Sequence, residues 1–142
     1  MTAGLREALN AICRRHDIVG LYVFGSRGEE ITARVRGDGV TEPRADSDLD
    51  VGVVPASEAD FGVIARVRLA QALEALFDVP RVDLVVLPEA DPFLAANVIR
   101  GERLYARDEY AADEYNLHIL RRAGDLASLE RERIALILGE AP

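Results

Sequence analysis

FGSRGEE at residues 24–30, followed after a polar segment by RADSDLDV at 44–51, is the stretch on which the reading of this chain turns. The run that leads into it, IVGLYVF (18–24), is short, almost wholly apolar and rich in β-branched and aromatic residues. It predicts a buried strand stopped by Gly25. DSDLDVGVV (46–54) alternates acids with apolar residues, then turns apolar, and predicts a second strand ended by Pro55. In a strand, side chains at i and i+2 share a face. Asp46, Asp48 and Asp50 therefore project together, while Ser47, Leu49 and Val51 face the other way. Like charges crowded on one face repel, and a divalent cation that takes hard oxygen ligands is the natural compensation. A calcium-loop reading fails, because Val51 stands at its glycine position and Ser57 at its bidentate glutamate position.

RVDLVVL (81–87) predicts a third strand, closed by Pro88, with Asp83 near its start. If this strand pairs beside the one carrying Asp48 and Asp50, the three carboxylates converge at one end of the sheet. Such a set suits two metal ions about 3.5–4 Å apart, the arrangement for in-line phosphoryl transfer. Gly25-Ser26 supplies the other half of a site. Glycine allows a sharp turn and a close backbone approach to a ligand. Ser26 precedes Glu29 by three residues, the capping-box spacing. This predicts a helix from Arg27 towards Arg36, ended by Gly37-Asp38-Gly39, with a hairpin across ITARVRGDGVTE (31–42) as the weaker option, since Ile31, Ala33 and Val35 also alternate. The helix N-terminus would bind phosphate, with Arg27, exposed in the absence of ligand, adding a charge-assisted contact.

The remaining pattern is mostly helical. Leu5, Ala8, Leu9, Ile12, Cys13 and His16 mark one face of a first helix, and Ser57–Phe77 repeats apolar residues at helical intervals. Asp91-Pro92 reads as a cap and first position of a helix to about Arg100. Residues 104–105 predict a short edge strand, and 108–139 a last helix with Gly124 as its weak point. The fold class is α/β (α+β), a small mixed sheet flanked by helices. One domain spans 1–142, with its core at about 18–90 and a helical segment at about 92–140. Cys13 reads as a small core residue, His16 as a packing or surface residue rather than a catalytic base, and His118 as no part of the chemistry. Tyr105, Tyr110 and Tyr115 are expected to pack the last helices onto the body. IALIL (134–138) is either core or a partner interface.

Composition narrows the function. A net charge of −8 argues against broad nucleic-acid binding. All 17 basic residues are arginine, which excludes Schiff-base chemistry and a P-loop lysine. One cysteine and two distant histidines do not make a zinc site. The lone thiol fits a cytoplasmic protein, and neither a signal peptide nor a membrane span is read in the sequence.

Gly25-Ser26, Asp48-Leu49-Asp50-Val51 and Asp83 within VDLVVL together resemble the DNA polymerase β-type nucleotidyltransferase superfamily, and the small size resembles its minimal nucleotidyltransferase branch. Many members of that branch are antitoxins paired with HEPN-domain toxins. The resemblance implies that Asp48 and Asp50 bind both of two Mg²⁺ ions. It implies that Asp83 binds the catalytic ion and helps to activate the attacking hydroxyl, and that Gly25 and Ser26 hold the phosphates of a nucleoside triphosphate, usually ATP. The product would be an AMP-modified hydroxyl, by resemblance a tyrosine of a HEPN toxin. A small hydroxylated acceptor of the aminoglycoside kind, or neutralisation of the partner by binding alone, are the alternatives. Oligomerisation, with a second copy or with the toxin, is expected through the C-terminal helix. Residues 27–47 separate the two motifs, more than the family spacing, so 28–45 reads as a surface insertion: a short helix to about Arg36 and then a loop.

Overall fold

The computed structural model describes residues 2–37 and 48–139. Among them the chain runs α1 (Thr2–Arg15), β1 (Ile18–Phe24), α2 (Gly28–Arg36), β2 (Leu49–Pro55), α3 (Val63–Phe77), β3 (Val82–Val86), α4 (Pro92–Ile99), β4 (Glu102–Ala106) and α5 (Glu109–Ile137). Single 3-10 turns occupy Gly25–Arg27 and Leu87–Glu89. The strands form one mixed sheet in the order β3-β2-β1-β4. β1 is antiparallel to both β2 and β4, and β2 is parallel to β3. The expected mixed sheet flanked by helices is the fold observed.

Alternation along the strands creates two cores. Leu21, Val23, Leu49, Val51 and Val53 turn to one face, where Leu9, Cys13, Ile31, Leu69, Leu73 and Phe77 of α1, α2 and α3 close over them. Tyr22 turns to the other face, against Val98 and Ile99 of α4 and Ile119 and Ala123 of α5. A Cβ on Gly52 would overlap Val98 Cγ1, so α4 lies directly on β2 only because residue 52 has no side chain. Asp91 caps α4 by accepting from the Phe93 and Leu94 amides, both at 3.0 Å, with Pro92 at the first helical position as expected.

Several expectations are corrected. α3 starts at Val63 rather than Ser57. The Ser26–Glu29 capping box does not form: the helix cap is Arg27, without a side-chain bond, because the 3-10 turn displaces the start of α2 to Gly28. α2 does end at Arg36, but it is no surface insertion. Its Ile31 and Val35 are fully buried, each contributing about 1.5–3 kcal/mol of burial. The helical period hid this, since two large apolar residues four apart suffice for one buried stripe. The edge strand spans residues 102–106 rather than 104–105. α5 runs unbroken through Gly124. Tyr110 is exposed, unlike Tyr105 and Tyr115, and Ile134, Leu136, Ile137 and Leu138 are exposed rather than core. Asp46 and the part of the loop after Gly37 that precedes Asp48 lie outside the described residues.

Candidate active site

The site is a row of residues at one end of the sheet. β1 ends at Phe24, which is in register with Asp50 of β2, and Asp50 is in register with Asp83 of β3. The register is held at its start by the Leu49 amide, which donates to the Arg81 carbonyl at 2.9 Å. Asp50 and Asp83 belong to the face that α4 covers. The next row, Tyr22–Gly52–Val85, lies under Val98. One row further, Asp50 and Asp83 are only partly buried, and Asp48, just before β2, is exposed.

The Gly-Ser turn meets this row directly. Gly25 has φ +74°, the left-handed region that costs a side-chain-bearing residue about 1–2 kcal/mol. A Cβ there would also overlap Asp50 Oδ2. Gly25 is thus required twice, for its backbone angle and for the carboxylate pressed against it. Gly25 and Ser26 are exposed, and the turn they form runs straight into α2, whose N-terminal end carries a partial positive charge.

Electrostatics agrees with the geometry. The Asp50 carboxyl is pushed above its ordinary range, first by burial and then by the charges of Asp83 and Asp48. Asp83 and Asp48 therefore both act on Asp50, and a bound cation would relieve that repulsion. Among the described residues no three acidic, histidine or cysteine side chains close round one point. Asp83 is instead held by Arg81, Nε to Oδ1 at 3.1 Å, in a half-exposed pair. The donor set still fits Mg²⁺, which takes one or two carboxylates and completes its shell with water and substrate phosphates rather than a protein cage.

Arg27 does not stand where the sequence placed it. Its side chain is 1% exposed, and its Nη2 lies 2.9 Å from Glu30 Oε2. Three residues per turn in the 3-10 segment carry residue 27 inward while 25 and 26 stay outside. A phosphate contact from Arg27 would have to compete with the buried Glu30 carboxylate. Sequence reasoning missed Glu30 and Arg81. Both were signalled by spacing: Arg27 and Glu30 are three apart, and Arg81 and Asp83 two apart around the start of a strand. The cavity of about 290 Å³ lined by Gly20, Tyr22, Val54 and Tyr115 sits at the other end of the sheet and takes no part in this row.

Comparison with known proteins completes the picture. No curated protein matches the chain. A solved structure assigned as a minimal nucleotidyltransferase matches with 35% identity and TM-score 0.51, over 70% of this chain and 87% of that one. A chain in a crystal structure of a toxin–antitoxin with AMP-PNP matches at TM-score 0.67 and 21% identity, over 94% and 98%. A chain in a structure of a tri-AMPylated Shewanella oneidensis HEPN toxin in complex with MNT antitoxin matches at TM-score 0.65 and 20% identity, over 97% and 99%. The family model described as polymerase beta, nucleotidyltransferase matches residues 7–110, a span that holds the Gly-Ser turn and all three acids. The chain belongs to the polymerase beta nucleotidyltransferase family.

Proposed function

We propose that this protein is a Mg²⁺-dependent nucleotidyltransferase that moves AMP from ATP onto a hydroxyl of a partner protein, a tyrosine of a HEPN toxin, and so acts as an antitoxin. The observation that carries the reading is the in-register pair Asp50 and Asp83 with Gly25 packed against Asp50. A row of acids beside an exposed turn that opens a helix is suited to a metal–triphosphate ligand and has no evident structural purpose. The fold likeness to chains crystallised with AMP-PNP, or in complex with a tri-AMPylated HEPN toxin, supports ATP as the donor and a protein as the acceptor.

Asp48, Asp50 and Asp83 would hold Mg²⁺, which when bound neutralises phosphate charge and favours in-line displacement. The chain's own groups supply the rest. Gly25 and Ser26 bring backbone N–H groups to the phosphates. Asp83 accepts the proton of the acceptor hydroxyl. The hydroxyl oxygen bonds to the α-phosphorus, the bond to the β-phosphate breaks, and pyrophosphate leaves. The test is the intact mass of a purified HEPN toxin after incubation with this protein, ATP and Mg²⁺. Whole AMP increments are expected, and they should be absent with the Asp48→Asn, Asp50→Asn double variant. An unmodified toxin would refute the proposal.

A second reading, neutralisation by binding alone, is favoured by one observation. Leu129, Leu136 and Ile137 are at least 60% exposed on the last turns of α5, an apolar surface suited to a partner. It predicts that the double variant still silences the toxin.

A further inference from the structure

The sheet ends at β4, which is hydrogen-bonded to β1 on one side only. Among the described residues no other backbone hydrogen bond reaches residues 102–106. An edge strand of this kind leaves alternate N–H and C=O groups unpaired. Here the edge opens into two polar clefts, each of about 390 Å³. One runs along α1, where Arg6, Asn10 and Arg14 recur every four residues opposite Leu104–Arg107. The other lies by Arg36, Arg103 and Asn116.

Charge at this edge opposes the charge of the whole chain. Five arginines line the clefts against three carboxylates, those of Glu102, Glu109 and Asp113, in a protein of net charge −8. Arg36 is paired with Glu102 at 3.2 Å, Arg103 with Glu109 at 2.7 Å and Asp113 at 2.8 Å, and Arg107 with Asp17 at 2.7 Å. Arg6 and Arg14 have no ion pair among the described residues. The edge also leads to the acids. Glu102 is in register with Val23, one residue before Phe24 of the acid row. Gly101 packs so closely there that a Cβ would overlap the Val23 carbonyl oxygen.

We propose that β4 is the docking edge for an extended acidic segment of the acceptor protein, which joins the sheet as an added strand and presents its hydroxyl to the acid row. The proposal rests on the nucleotidyltransferase reading of that row. An added strand would lie three strand spacings from β2 and four from β3, about 14 and 19 Å from the strands that carry Asp50 and Asp83. About five further residues beyond its end, at about 3.3 Å each, span that distance and can bring a hydroxyl to the acids. A polypeptide is the fitting occupant because its own N–H and C=O groups repeat at the spacing of the strand, about 6.8 Å for every second residue. Single-stranded RNA would answer the arginines but not the backbone.

The experiment uses the full chain and a synthetic peptide of alternating Glu and Thr that ends in Tyr, read by amide hydrogen exchange and by intact mass with ATP and Mg²⁺. Protection of residues 102–107 is expected, together with transfer to the peptide. A peptide with Lys in place of Glu should give neither. In the exposed-site variant Arg6→Glu, Arg14→Glu, peptide affinity should fall about tenfold, with ATP binding unchanged. The Asp50→Asn variant should still show the protection, so that a failure of the chemistry is distinguishable from a failure of docking. Four results would overturn the proposal: transfer with β4 unprotected, no protection by the acidic peptide, protection by an RNA oligonucleotide in place of the peptide, or protection without any ligand through self-association.

Discussion

Asp50 carries the clearest prediction at the scale of a residue. Its folded-state pKa is raised, so the protonated form is the one the fold favours, and the charged form costs stability. That cost is absent below the ordinary carboxylate range and is felt in full once pH has risen through the raised value. Asp50→Asn should therefore raise the melting temperature at neutral pH. The gain should fade as pH drops towards the unperturbed value, whereas nucleotide transfer should fall by at least about a hundredfold at every pH. Melting curves for both proteins across pH check the first part, and a variant that loses stability at pH 7 would contradict it. Gly25 gives a second prediction. Gly25→Ala has both an unfavourable φ and an overlap with Asp50. It should cost about 1–3 kcal/mol, measured by urea unfolding, and should weaken triphosphate binding. The double variant Gly25→Ala, Asp50→Ala should recover the part of the loss that comes from overlap, leaving the part due to φ.

Among the elements, α5 departs most from its sequence reading. Gly124 interrupts the helical pattern, yet the helix continues, and a Cβ at this position would meet nothing within 4 Å. Gly124→Ala should therefore stabilise the protein by about 0.5–1 kcal/mol, the ordinary difference between the two residues in an exposed helix interior. Chemical denaturation checks this, and a loss would mean that the glycine serves a contact. β1, β2 and β3 were legible because each is a short, mostly apolar run bounded by Gly, Pro or acids, whereas Glu102 and Arg103 hid the start of β4. For the same reason the acids could be placed on one face before any pairing was known. What could not be read was side-chain destination at the turn. A 3-10 turn and an α-helical first turn differ by a fraction of a rotation per residue, yet that fraction moves Arg27 from the phosphate side to a buried pair with Glu30. The parallel pairing that aligns Asp50 with Asp83 was equally invisible, since register between distant segments depends on the whole sheet. Motif spacing suggested the meeting of the acids, and the resemblance to a family made it specific.

For the whole molecule, the decisive quantity is charge. A chain of net −8 with three acids at one sheet end should repel a bare triphosphate. Calorimetric titration with ATP should show binding in Mg²⁺ and little in EDTA, and equal affinity in both would refute the proposed site. No helix among the described residues is long and apolar enough to cross a membrane, and Leu129, Leu136 and Ile137 of α5 are exposed. The last buried residue of α5 is Ala123, and the helix goes on to Ile137. At 1.5 Å per residue the remaining, largely exposed part of the helix is roughly 20 Å long, more than the radius of gyration of about 14–15 Å expected for a compact body of this length. In solution the free protein should accordingly tumble as an elongated particle, with amide relaxation rates that depend on the angle between each N–H vector and the long axis. Cover on that helix would change this anisotropy, so that the arrival of a partner would register across the spectrum, including at residues it never touches.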